Sequence, residues 1–223
     1  MQHREPVVTA SLNPTHAVNA DGFELLDAVL YSTSHDLRSP LLSMTLSAEL
    51  LQESLPPGAA AEGSTAAIAL EAMRHGAKDL ERMLQALTLV SRARRRQLEV
   101  STLPLRELLA GRRTAAEPGD LTVTVDVAVI DEALDSFAAD ATAVIAVEAS
   151  AHEVSLLLPP PVDAPEFEGS PVAALLGSLQ NYAGTPVERL AASEVLVARS
   201  GGKLLVDASG VRLSLPLAAG SGR

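Results

Sequence analysis
Between Asp21 and Leu55 the apolar positions fall at Phe23, Leu26, Leu30, Leu37, Leu41, Met44, Ala48, Leu51 and Leu55. With Thr33 included, the steps alternate between three and four residues, apart from one repeated four just before Pro40. This is the seam of a long amphipathic helix, with a stutter beside the proline. Pro56-Pro57-Gly58 stops it. A second helix is predicted over 62–98, with Gly76, Leu80, Met83, Leu87 and Val90 on its seam. Two helices of about 35 residues joined by a short turn make an antiparallel hairpin. One hairpin leaves most of its seam uncovered. Two hairpins cover each other as a four-helix bundle, so a homodimer is expected. The alternative is a cover supplied by the C-terminal half.

The pattern changes after Glu99. Leu103–Leu109 reads as a short helix, and Leu121–Val125 alternates as a strand does. A helix is predicted over Val129–Ala141, then strands over Ala143–Ala149 and Glu153–Leu158 with a turn at Ser150–His152. Pro159–Pro171 is a proline- and acid-rich loop. Helices over 172–181 and 186–200 follow, then a Gly201-Gly202 turn and a closing hairpin of Lys203–Asp207 and Val211–Leu215. The expected class is α+β. Residues 1–19 form a frayed lead-in, 20–99 the helical hairpin, and 100–218 an α/β sandwich.

Composition narrows the function. The chain has 223 residues, 47% of them hydrophobic, so a core can form. Its formal net charge of -11 argues against nucleic acid as a partner, because phosphate binding needs surplus Lys and Arg. It has no Cys, which removes disulfides, thiolate metal sites and thiol nucleophiles. No apolar run is long enough for a membrane span, and the N-terminus does not read as a signal peptide. A cytoplasmic location is expected. The Arg92–Arg96 run reads either as a solvated helix end that complements the dipole or as a dock for an acidic partner. His3, His16, His75 and His152 have no metal-ligand spacing. Phe167 and Tyr182 are core residues or partner anchors.

The chemistry gathers in Tyr31–Leu42, YSTSHDLRSPLL. With Leu37 set at 0° on the seam and about 100° per residue, His35 falls near 160° and Ser39 near 200°. Both point away from the bundle core, one turn apart. Asp36 and Arg38 flank them. An imidazole exposed to solvent keeps a neutral, nucleophilic nitrogen at pH 7. Asp36 can orient the ring or take its proton, and Ser39 can hydrogen-bond a phosphoryl oxygen or a water. Tyr31, Arg38 and Leu42 lie beside His35 and are the candidate partner contacts; an exposed Leu next to a reactive His suggests a docking patch.

The stretch SHDLRSPLL resembles the H-box of the dimerisation and histidine phosphotransfer domain of sensor histidine kinases, whose usual form is His-Glu/Asp-Leu-Arg-Thr/Ser-Pro-Leu. The likeness covers His35 through Leu41 and extends to the surrounding helical hairpin. It implies that His35 is the phosphoacceptor, Asp36 its acid–base partner, and Ser39 the position used in phosphatase chemistry. The second half is similar in layout to the family's ATP-binding domain, most clearly in Glu188–Leu215.

The boxes that hold nucleotide in that family are not matched. Its N-box needs an Asn, but the corresponding helix reads VIDEALDSFAADA, Val129–Ala141. Its next box is Asp-x-Gly-x-Gly, but the chain here reads PPPVDAPEFEG, with Asp163 and no Gly-x-Gly. Asp131, Glu132 and Asp135 are either solvated helix carboxylates or replacement Mg²⁺ ligands. The expectation is a histidine phosphotransferase of a two-component phosphorelay. It would pass phosphoryl groups between His35 and receiver-domain aspartates, bind no cofactor itself, and rely on Mg²⁺ carried by the response-regulator receiver. The alternatives are a sensor kinase with a divergent ATP-binding domain and a non-catalytic pseudokinase regulator.

Overall fold
Apolar residues at positions 41, 48, 70, 77 and 84 fix the pairing of the first two helices. The computed structural model describes residues 37–218, apart from 57, 60, 62, 138–142 and 160–165. Helix α1 spans Arg38–Ser54 and α2 spans Thr65–Arg95. They run antiparallel, with Leu41 packed against Ala77 and Leu84. Ser64 caps α2: its hydroxyl accepts from the Ala67 amide and donates to the Ala59 carbonyl, which sets the entry angle of the chain. The seam of α2 toward α1 is Leu70, Ala77 and Leu84. The expected seam positions Gly76, Leu80, Met83, Leu87 and Val90 fall beside this line. Met83 and Val90 pack instead against the second domain, and Gly76 and Leu80 are exposed. Helix α2 carries apolar residues on three faces, and periodicity cannot say which face meets which neighbour.

Strand β1 (Val100–Pro104) follows, then a one-turn helix α3 (Leu105–Leu108), β2 (Arg113–Thr114) and β3 (Thr122–Asp126). Strand β1 pairs with β3, from Val100 opposite Asp126 to Pro104 opposite Thr122. No alternation marks a strand at 100–104, and Leu103 and Pro104, expected at the start of a helix, belong to β1. Its polar residues are exposed because only one side of this two-stranded ribbon is covered. Helix α4 covers Val127–Phe137. Strands β4 (Val144–Ala149) and β5 (Glu153–Leu158) come next. The stretch expected as one helix over 172–181 is two: α5 (Pro171–Gly177) and α6 (Leu179–Tyr182), broken at Ser178. Helix α7 (Pro186–Arg199) and strands β6 (Lys203–Asp207) and β7 (Gly210–Pro216) complete the chain.

The main sheet has the order β2-β4-β5-β7-β6. β2 runs parallel to β4, and every other pair is antiparallel. Alternation along the strands sends Ile145, Val154, Leu156, Leu158, Leu204, Val211, Leu213 and Leu215 to one face, where α4 and α7 cover them with Ile130, Leu134, Leu190 and Val197. The other face carries charged and hydroxyl side chains. There Arg212 reaches Glu148 at 3.0 Å and Asp207 at 3.7 Å, and the Ser155 and Ser214 hydroxyls meet at 2.9 Å. At the β6–β7 turn the Ser209 hydroxyl and amide both bond to Asp207, holding its carboxyl below the ordinary carboxylate range. Gly202 sits where a Cβ would come within 2.7 Å of the Ser214 carbonyl, so the α7–β6 turn closes tightly only with glycine there.

Asp126 joins the two halves. It is buried, and its carboxylate accepts from the Val129 amide in the first turn of α4 (3.1 Å) and from the Glu99 amide in the connection from α2 (2.7 Å). Asp126→Ala leaves two amides without partners. The expected loss is about 2–3 kcal/mol, read from the midpoint of urea unfolding, with Asp126→Asn losing less.

Candidate functional site
Tyr31, His35 and Asp36 lie outside the described residues, as do His3, His16 and Asp163. The described helix begins just after them. Leu37 already has helical angles, φ -77° and ψ -15°, and its carbonyl accepts from the Leu41 amide. Pro40 falls in this first described turn. Arg38, Ser39 and Leu42 are all exposed, while Leu41 between them is buried against α2.

Three bands run along α1. Leu41 and Ala48 face α2. Leu37, Met44 and Leu51 lie within about 80° on one side of that line and are exposed. Exposed Met73 and Leu80 flank the seam of α2 on the same side. Leu42, Leu46 and Leu50 lie on the outward face of α1, with Leu42 61% and Leu50 65% exposed. A groove of 370 Å³ separates this band from α2, walled by Arg38, Leu42 and Thr45 on one side and Glu81 and Gln85 on the other. The hairpin thus shows two separate apolar surfaces. One continues the helix–helix seam, and the other borders the groove that starts at Arg38.

In the second domain, helix N-termini are the natural seats for phosphate, because free amides and the helix dipole meet there. At two of them glutamates join the cap. At α5, Ser170 accepts from the Ala173 amide, and Glu194 of α7 accepts from the Ser170 hydroxyl (2.7 Å) and the Val172 amide (2.7 Å). At α7, Thr185 accepts from the Val187 amide at 3.3 Å, and Glu188 accepts from the Gly184 amide at 2.9 Å. Thr185-Pro186-Val187-Glu188 carries the spacing of a capping box with proline at the first helical position, a signal that was present in the sequence. Glu194 had no such signal, since it caps a helix other than its own.

The carboxylates of α4 are also engaged. Arg112 reaches Asp131 at 3.1 Å and Asp135 at 2.6 Å, and Arg96 reaches Glu132 at 2.6 Å. All three acidic side chains remain solvated, 43–75% exposed, and among the described residues no three His, Cys, Asp or Glu side chains gather as metal ligands. His75 is exposed and lies 3.1 Å from Glu71 in the same helix, and His152 is exposed in the β4–β5 turn. The Phe167 and Tyr182 rings meet at 5.9 Å, tilted by 58°, and both are half-buried against the apolar cluster under α5 and α7. The end of α2 meets the second domain: Arg96 bonds to Glu132, and Arg199 covers its last carbonyls.

No helix among the described residues is long and apolar enough to cross a membrane. No family model and no curated protein matches the chain. Among solved structures it is similar to full-length ShkA in complex with AMPPNP, at 17% identity and a TM-score of 0.42, over 87% of this chain and 47% of that one. It is also similar to the histidine kinase AdeS of Acinetobacter baumannii, at 14% identity and a TM-score of 0.38, over 84% of this chain and 98% of that one. The chain spans about half the length of the ShkA chain.

Proposed function
We propose that this protein is a histidine phosphotransferase of two-component signalling, carrying phosphoryl groups between His35 and receiver-domain aspartates without a nucleotide of its own. The observation that carries the reading is the sequence Ser34–Leu42, with its His-Asp-Leu-Arg-Ser-Pro-Leu order, followed by a helix from Arg38 on which Arg38, Ser39 and Leu42 are exposed. A neutral imidazole nitrogen of His35 attacks the phosphorus of an aspartyl phosphate in line. The N–P bond forms as the bond to the aspartyl oxygen breaks, and the partner's carboxylate leaves. Asp36 stabilises the positive charge on the ring, or takes the proton from its second nitrogen. The reverse transfer delivers the group to another receiver. The Mg²⁺ that neutralises the phosphoryl charge belongs to the receiver.

Two further features support this reading. The groove beside Leu42, with exposed Leu46 and Leu50 further round the same helix, offers a receiver an apolar docking band that starts at Arg38. The Leu37, Met44, Leu51, Met73 and Leu80 band fits a second copy of the chain, which would complete a four-helix bundle. Glu188, Glu194 and Arg112, each engaged within the chain, favour a relay over an ATP-dependent kinase.

The test is incubation with receiver domains phosphorylated by acetyl phosphate, in parallel with magnesium ATP alone. Acid-labile label is expected on this chain from at least one receiver and none from ATP. Label from ATP, and none from any receiver, would assign the chain to the kinases instead.

A further inference from the structure
The second domain meets α2 along three separate contacts. The first is apolar: Ala86 is fully buried, and with Met83 and Val90 it packs against Leu175, Val187 and Ala191. The second is a close approach. A Cβ at Gly184 would lie 2.9 Å from Cδ of Arg82, so the turn before α7 rests closely against the stem of that side chain on α2. The third is a clasp. The Arg199 guanidinium, at the end of α7, donates to the carbonyls of Ala93 (2.9 Å) and Arg96 (2.7 Å). These lie at the helix C-terminus, where carbonyls lack helical partners and a cation meets the negative end of the dipole.

The connection between the two parts has little freedom. Helix α2 ends at Arg95 and β1 starts at Val100, so only Arg96, Gln97, Leu98 and Glu99 lie between them. Arg96 is tied through its side chain to Glu132 and through its carbonyl to Arg199. Leu98 packs on the core of the second domain, and the Glu99 amide is bound by Asp126. No glycine interrupts the four. A hinge needs residues that can absorb a change in backbone angles, and here three of the four are anchored.

We propose that this contact is a lock, with Arg199 as its bolt, making the second domain a fixed wall beside the hairpin rather than a domain that swings. The proposal does not depend on the phosphotransfer reading. The chain has no Cys, so two can be introduced freely. Glu49→Cys on α1 and Arg189→Cys on α7 are both exposed positions. Spin labels there, in full-length chain diluted with unlabelled chain, report the separation of the two parts by pulsed dipolar spectroscopy. One narrow distance is expected, unchanged by a phosphorylated receiver domain or by magnesium AMPPNP. A broad or two-peaked distribution, or a shift on either addition, overturns the lock. Arg199→Met keeps the aliphatic stem and removes the clasp. It is expected to broaden the same distribution and to speed amide exchange across residues 92–96 by about tenfold. An unchanged width and unchanged exchange in that variant would remove Arg199 from the proposal.

Discussion

His35→Gln abolishes labelling by every phosphorylated receiver domain, while the variant unfolds at the same temperature as the parent; this is the largest effect expected here. Glutamine keeps polarity and length but has no nucleophilic nitrogen, so the N–P bond cannot form. A loss of at least about a thousandfold in transfer rate follows from removing a nucleophile. Asp36→Asn keeps the nucleophile and removes the charge that supports the imidazolium, and is expected to slow transfer by about a hundredfold. Ser39→Ala tests a different step. It leaves transfer to His35 near the parent rate and changes only the hydrolysis of the phosphoryl group. Rapid-quench electrophoresis with labelled receivers measures all three. Transfer that survives in His35→Gln would place the phosphoacceptor elsewhere in the chain.

The next largest effect is on assembly. Met44→Glu with Leu80→Glu puts a carboxylate on each helix within the band that continues the seam. In a two-fold bundle each charge would also meet its own copy. Burying unpaired carboxylates is costly enough that the dimer dissociation constant is expected to rise at least about a thousandfold. Sedimentation equilibrium should show a dimer for the parent and a monomer for the variant, with helical circular dichroism retained. Leu42→Glu with Leu46→Glu provides the contrast. These residues lie across the helix from that band, so the dimer should persist while transfer from receivers becomes harder to saturate. A parent chain that is monomeric at micromolar concentration, or a double variant that stays dimeric, would leave the seam band without this role.

The parts of the fold legible in the sequence were those set by local pattern. Pro186 and Gly201 mark the ends of α7, and the alternation of Val211, Leu213 and Leu215 marks β7. Strand β1 was hidden because Val-Ser-Thr-Leu-Pro owes its conformation to pairing with β3, 18–26 residues away. The second helix was visible, but not its allocation of faces. Leu84 and Met83 are equally apolar, and only the tertiary packing sends one to α1 and the other to the second domain. In the candidate site, the order of residues from His35 to Leu41 was readable because the chemistry needs them adjacent. Arg112, Arg199 and Glu194 were not readable, since each acts on an element distant in the chain. The Arg92–Arg96 run shows the same limit. Its composition suggested solvent or a partner protein, and the structure supplies Glu132 of the same chain for Arg96.

Helix α2 has three committed faces: Leu70, Ala77 and Leu84 toward α1; Ala86, Val90 and Ala93 toward the second domain; Met73 and Leu80 on the open band. Losing or gaining one residue in a helix turns everything beyond it by about 100°. Such a change within α2 would misdirect all three sets at once, and no local repacking restores them together. The turn at 55–64 carries no comparable burden, so length variation in this chain is tolerable between the first two helices and not within the second.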